Sequence, residues 1–304
     1  MVDGIKLKYI ISDYDSWSKS HGLQFRYEFD KESGEIYMTK SKRTGSLITK
    51  SRSNFQGYSL ELTEVTDQNF ENKVCYLVVH GSLHKNYFYG ENIQNFAKSQ
   101  MLEEIANISD GLALNSSYAK ICNIEIGINI SMPISPILFL DSSLLSYKGK
   151  RFEKYAVDNG GKSIGYHCKL GQYSVKVYDK GLQYGLECNL MRIEARFIKM
   201  EAIGRITGDT LATLKSLEKE DVKSIISDLW DGVLINELVN APDSIKDSEI
   251  YLQATNFHFM KSLQKSDRRR HDYVRSKFKA LCAIHGDGMH TFIKESIINE
   301  VEGL

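Results

Sequence analysis

The feature that most constrains the fold is a nine-residue alternation from Cys122 to Ile130. Cys122, Ile124, Ile126, Ile128 and Ile130 fall on one side; Asn123, Glu125, Gly127 and Asn129 fall on the other. Side chains along an extended strand point alternately to opposite faces, so this period of two specifies a strand with one buried face. Leu23, Phe25, Tyr27 and Phe29 repeat the pattern, as do Tyr58, Leu60 and Leu62. The unbroken apolar run from Val74 to Val79 reads as a strand covered on both sides. Between that run and the first alternation, Ile93, Phe96, Ala97, Met101, Ile105 and Ile108 recur at helical spacing, with Asn92 or Asn95 as the cap.

The order strand, helix, strand is followed by two further strands, at 173–180 and 191–197. This predicts an α+β fold: an antiparallel sheet with a βαβ unit and helices packed on one face. The last third is helical. Val222, Ile225, Ile226, Leu229, Val233 and Leu238 form an amphipathic stripe that stops before Pro242, and more helix is expected from Ile250 to Glu300. A boundary near Gly204–Gly208 separates a mixed α+β domain, 1–205, from a helical C-terminal region, 206–304, expected to contact DNA or a partner. Gly160–Gly161 reads as a turn, because the rest of a phosphate-binding loop is missing around it.

Composition bounds the function. With 42% hydrophobic and 26% charged residues, the chain looks like an ordinary soluble globular protein. No apolar run reaches membrane-spanning length and the start lacks a signal-peptide layout, so the bacterial cytoplasm is the expected location. The five cysteines are scattered and form no C-x-x-C pair, which argues against a zinc knuckle or a disulfide framework. Net charge is zero, 39 basic against 39 acidic residues, so the chain is no polyanion coat protein. Local segments are basic nonetheless. Lys261 to Lys279 holds eight Lys and Arg against Asp267 and Asp272. Within it Arg268, Arg269, Arg270 and Arg275 make the best candidate for a phosphate-tracking helix, although the same residues also read as a solvated face.

Three strands carry functional groups on their polar faces. Asn123, Glu125 and Asn129 share one; Lys176, Tyr178 and Lys180 a second; Arg192, Glu194 and Arg196 a third. If the strands are neighbours, two carboxylates, a phenol and several cations meet. Glu125 and Glu194 are hard oxygen donors suited to Mg²⁺ or Mn²⁺. Tyr178 is placed to attack phosphorus and hold a 5′ end covalently. Lys180, Arg192 and Arg196 would favour its ionised form and offset charge on the phosphoryl oxygens. A solvated sheet face of cross-strand Glu–Arg and Glu–Lys pairs explains the same spacing.

Read together, H-G-S-L-H-K-N-Y-F-Y-G-E-N-I at 80–93, N-I-E-I-G-I-N at 123–129, K-V-Y-D-K-G-L-Q at 176–183 and M-R-I-E-A-R-F-I-K at 191–199 resemble the filamentous-phage gene II type replication initiators. More distantly they resemble the plasmid rolling-circle initiators with the R-x-E signature. The resemblance covers about residues 57–240. It implies nicking and rejoining of single DNA strands at an origin, a divalent metal, and replication of phage, plasmid or mobile-element DNA, with origin duplex and single strand as partners and a host helicase as a further one. By motif, Glu125 stands at an acidic metal ligand, Arg192 and Glu194 at R-x-E, and Tyr178 and Lys180 at Y-x-K. Tyr184 is the fallback nucleophile. Three features depart from the pattern: Glu125 stands where the phage relatives carry Asp, Arg196 where plasmid relatives often carry a second acid, and the H-φ-H motif is missing.

His80 and His84 form H-x-x-x-H but end a strand, so contact with DNA or a structural role is favoured over zinc. Lys85, with Tyr87, Phe88 and Tyr89, offers a cation and rings for stacking bases, or an aromatic core. Lys176 and Arg196 complete the expected DNA-contacting set. A sequence-specific DNA-binding initiator or regulator without covalent chemistry is the competing reading.

Overall fold

The computed structural model describes residues 2–303 apart from 30, 32–33, 68–72, 157–162, 204–207 and 239–243. The Gly160–Gly161 turn, most of the boundary near Gly204 and the stop at Pro242 fall outside the described residues. Two compact units result: Met1–Ile126 with Phe197–Glu218, and Gly127–Arg196 with Lys219–Leu304. The architecture is α+β, a large, mainly antiparallel sheet with helices and a run of C-terminal helices. No helix among the described residues is long and apolar enough to cross a membrane.

In the first unit, Val2–Ile11 is the central strand. It pairs antiparallel with Lys73–Ser82 on one side and with Lys120–Ser131 on the other. Those two flanking strands therefore run parallel to each other. They are the two strands of the expected strand–helix–strand unit, split by the N-terminal strand inserted between them. Outward from Lys73–Ser82 come Tyr58–Thr66, Leu47–Phe55 and the two-residue strand Arg26–Tyr27. The alternation at Leu23–Phe29 thus yields far less strand than its period suggests, because the segment pairs only at an edge.

The register explains the core. Leu60 faces Val79, which faces Leu7; Leu62 faces Leu77, which faces Tyr9. All six are at most 2% exposed. Burying one such aliphatic side chain contributes about 1.5–3 kcal/mol, so these rows hold the strand order. The helix Lys98–Gly111 lays Met101, Ile105 and Ile108 inward, at helical spacing. It starts later than its apolar period implies, because the Gln100 side chain accepts the Ala97 N–H at 2.8 Å and closes the first turn. Asn92 is no cap. It is buried and donates to Asp3 Oδ2 at 2.8 Å.

The long alternation also slips once. A register shift between Lys6 and Leu7 in the partner strand puts an extra residue into Lys120–Ser131. Ile121 is buried as a result and Cys122 is half-buried, the reverse of the uninterrupted pattern at that end.

In the second unit, Glu153–Ala156, Ser163–Lys169, Tyr173–Asp179 and Leu190–Phe197 lie side by side in that order. The helix Lys219–Gly232 buries Val222, Ile225, Ile226, Leu229 and Trp230. It ends at Gly232, ahead of the full length of its stripe, since Val233–Ile235 turns into a strand pairing with Leu144–Tyr147. Four more helices follow: Ile245–Thr255, Phe257–Ser266, Arg268–His285 and Met289–Glu302. Ile250, Ala254, Met260, Leu263, Val274 and Phe278 pack with Leu234 in one core.

Candidate active site

The Tyr173–Asp179 strand turns Val175 and Val177 to one face, both fully buried, and so presents Lys176 and Tyr178 on the other. Its antiparallel partner meets Tyr178 with Gly165, where any Cβ would collide with the Tyr178 backbone and Cβ and the Val177 carbonyl. Leu190–Phe197 buries Ile193 and Ala195 on one side, leaving Arg192 and Glu194 for the other. Alternation therefore brings four of the expected residues together.

Glu194 is their centre. It is 3% exposed, and Arg192 is 2% exposed. Lys176 Nζ donates to Glu194 Oε1 at 2.8 Å. Arg192 Nε donates to Oε2 at 3.1 Å, and the Tyr178 hydroxyl donates to the same oxygen at 3.4 Å. Arg192 Nη1 also donates to Asn129 Oδ1 at 2.9 Å. Gly127 makes room for the guanidinium, because a Cβ there would lie 2.9 Å from Nη2. Tyr155 packs its ring 5.6 Å from that of Tyr178, with Lys176 Nζ 5.5 Å from the Tyr155 centroid.

Lys180 arrives by a different route from the one its spacing predicts. The strand stops at Asp179, and Lys180–Tyr184 is a short helix. Asp179, itself buried, caps it: Oδ1 accepts the Leu182 N–H at 2.7 Å, while Oδ2 accepts the Ile137 N–H at 3.3 Å. The turn folds Lys180 back so that Nζ stands 5.6 Å from the Tyr178 ring and 4.8 Å from the Tyr184 ring. Lys180 is 1% exposed. Tyr184 lies on this helix, not in a loose turn, and is half-buried where Tyr178 is buried. Sequence reasoning missed Asp179 and Tyr155. The N-cap signal, an acid at the strand end ahead of K-G-L-Q, was present for the first.

Lys176, Lys180 and Arg192 against Glu194 and Asp179 leave a formal excess of one positive charge, three minus two. Buried arginine and lysine of that excess suit phosphate oxygens. For a metal, Glu194 offers hard oxygens, but Lys176 and Arg192 already bind them, so an ion would compete with an ammonium for Oε1. Among the described residues no three His, Cys, Asp or Glu side chains gather as a metal-holding group. A divalent ion here would draw its other ligands from water, as Mg²⁺ commonly does.

Glu125 and Lys85 belong to the first unit. Glu125 is half-buried over Gly4, its Oε2 lying 2.9 Å from where a Cβ of residue 4 would be. Lys85 sits in the helix Leu83–Tyr87. His84 of that helix is buried, with its ring stacked 4.8 Å from Phe96, while His80 is exposed on the preceding strand. The two histidines therefore share no face. Phe88 and Tyr87 pack into the same aromatic cluster, and Glu103, Glu104 and Asp110 line the adjoining cleft. Carboxylates there disfavour a nucleic-acid strand.

In the helix Arg268–His285, Arg268, Arg269 and Arg270 are exposed in the first turn. Arg275 and Lys279 turn inward. They donate to the Gly232 and Asp231 carbonyls at 2.9 and 2.7 Å, capping the end of Lys219–Gly232. Burial lowers the pKa of both groups. Arg196 is half-buried, two residues beyond Glu194 on its strand.

No protein-family profile matches the chain, and no curated protein does. Among solved structures, a rolling circle replication initiator protein from Geobacillus stearothermophilus is similar at a TM-score of 0.40 and 14% identity, over 81% of this chain and 89% of that one. A di-domain ARO/CYC protein, BexL, from the BE-7585A biosynthetic pathway, gives a TM-score of 0.18 and 6% identity, over 75% and 95%.

Proposed function

We propose that this protein is a replication initiator that nicks and rejoins one DNA strand at an origin, with Tyr178 as nucleophile. The observation that carries the reading is the Tyr178 hydroxyl on Glu194, inside a ring of Lys176, Lys180 and Arg192. Tyr178 Oη attacks phosphorus and its proton passes to Glu194 Oε2. The bond from phosphorus to the 3′ oxygen breaks, and that oxygen leaves as a hydroxyl with a proton from solvent. The 5′ phosphate stays on the phenol. Return attack by the 3′ hydroxyl reverses each step. A phenol leaves more readily than a serine alkoxide because its pKa is about 10, so resealing needs no nucleotide cofactor. Arg192, fixed by Asn129 and Glu194, and Lys180 hold the phosphoryl oxygens. Mg²⁺ or Mn²⁺, with Glu194 as a carboxylate donor, would supply further charge neutralisation at the phosphate.

The greater exposure of Tyr184 supports a second reading, in which it is the nucleophile and Tyr178 positions Glu194. The experiment is incubation with supercoiled origin DNA and Mn²⁺, scored for a covalent protein–DNA adduct. Tyr178→Phe should fold normally and form none. An adduct from Tyr178→Phe but not from Tyr184→Phe transfers the role to Tyr184. Specific binding by wild type without any adduct leaves a DNA-binding initiator, with Glu194 serving only its ion pairs. An adduct that survives EDTA removes the metal and keeps the tyrosine.

A further inference from the structure

The second compact unit holds a cavity of about 210 Å³ that takes no part in the chemistry above. It lies among the Leu144–Tyr147 and Val233–Ile235 strands and the helices Ile245–Thr255, Phe257–Ser266 and Arg268–His285. Its charged and titratable lining is of one kind: Arg151, Arg275, His258 and His271, with no carboxylate. The rest is apolar, with Leu144, Leu234, Met260 and the Phe257 ring, and two hydroxyls, Ser146 and Thr255. Such a mixture suits a ligand with a flat apolar part and an anionic part.

Two groups in the wall, His271 and Arg275, bear on what it can hold. The His271 side chain is only 5% exposed and its Nδ1 hydrogen-bonds Asp272 Oδ1 at 2.9 Å. Its Nε2 is buried and has no hydrogen-bond partner. A buried ring nitrogen in that state is costly unless something completes it. Gly149 packs close beside it, where a Cβ would stand 3.3 Å from His271 Nε2 and 2.8 Å from Gln264 Nε2. Arg275 uses Nη2 on the Gly232 carbonyl and remains a desolvated cation in the wall. Arg151 is exposed at the rim, its guanidinium 5.9 Å from the Phe257 centroid.

We propose that this cavity binds a nucleoside 5′-phosphate. The base lies against Phe257 and the apolar wall, with His271 Nε2 at its polar edge, and the phosphate meets Arg151 and Arg275. The volume is below the roughly 300–1,000 Å³ of sites that enclose a whole drug-sized ligand, so the base is the part enclosed and the sugar phosphate extends toward the rim at Arg151. A free nucleotide and one residue of a single DNA strand present the same chemistry. Binding here is independent of strand nicking.

The experiment titrates the full chain calorimetrically with dAMP, dTMP, ATP and inorganic phosphate. In parallel, single-stranded oligonucleotides carrying 5-iododeoxyuridine are photo-cross-linked and the adduct is mapped. Arg151→Ala changes an exposed side chain, and Phe257→Ala is the second variant. Free nucleotides should bind more tightly than phosphate, and Arg151→Ala should weaken them roughly tenfold or more, through removal of a charge-assisted hydrogen bond. If only the oligonucleotide engages, a cross-link at Phe257 that disappears in Arg151→Ala identifies the strand as the source. The proposal is overturned if wild type shows neither, if phosphate alone binds as well as the nucleotides, or if both variants behave as wild type.

Discussion

At the scale of single residues, the Tyr178 cluster stands on one buried carboxylate. Glu194 balances Lys176 and Arg192, and Arg192 is more buried than Lys176. Removing the carboxylate strands a guanidinium in low dielectric, which is the expensive way to break a buried pair. Glu194→Ala is expected to cost about 3–5 kcal/mol, read as a lower urea midpoint. A loss below about 1 kcal/mol, the scale of an exposed pair, would mean that water reaches Arg192. Loss of adduct in this variant is therefore interpretable only beside its stability, whereas Tyr178→Phe keeps the ring and its packing. These residues were legible because strand alternation is a strict rule: Lys176 and Tyr178, like Arg192 and Glu194, must share faces. Lys180 obeyed no such rule. Its position depends on Asp179 capping a helix, a competition between strand and turn that period alone does not resolve. Nor does period reveal which groups close onto Glu194, since the order of neighbouring strands is a property of the whole sheet.

At the scale of elements, the helix Arg268–His285 has two kinds of basic residue that charge counting merges. Arg268, Arg269 and Arg270 face solvent; Arg275 and Lys279 hold the end of the Lys219–Gly232 helix. Replacing the three exposed arginines by alanine is expected to weaken binding to all DNA sequences. It should also flatten the plot of log affinity against log salt by about 0.9 for each phosphate that is no longer neutralised. Arg275→Ala is expected to act on the fold, with about 1.5–3 kcal/mol less stability from the missing charged hydrogen bond. Equal slopes in the triple variant and wild type would assign the exposed arginines to another partner. The helices themselves were readable from spacing, but their ends were not. Lys219–Gly232 stops at a glycine followed by Val233, and Val233–Ile235 gains more by pairing with Leu144–Tyr147 than by extending a helix. The split of the strand–helix–strand unit was hidden for a similar reason, since the inserted Val2–Ile11 strand is far away in sequence.

At the scale of the whole molecule, basic and acidic residues cancel, with an isoelectric point of about 7.1. Bulk charge repulsion is therefore small near neutrality, and the response of stability to pH falls to individual buried groups. His290 is the clearest. Its ring stacks on Trp230 with centroids 5.3 Å apart, and its Nε2 is buried without a hydrogen-bond partner. Burial, reinforced by Lys279, lowers its pKa. The unfolded chain then takes up a proton at a higher pH than the native one does. Stability from the neutral ring is complete above the ordinary histidine pKa of about 6.5 and is lost as pH falls from there toward the native value. Glu237, whose Oε2 accepts the His290 backbone N–H at 2.8 Å, acts with the opposite sign. Its carboxyl pKa is raised by burial, so acidification relieves the cost of keeping it charged. Urea midpoints measured from pH 7.5 to pH 5 should therefore fall more steeply for wild type than for His290→Gln, which has no ring to protonate. Parallel curves for the two proteins would show that the His290 proton is not linked to folding, and the acid response would then have to come from other groups.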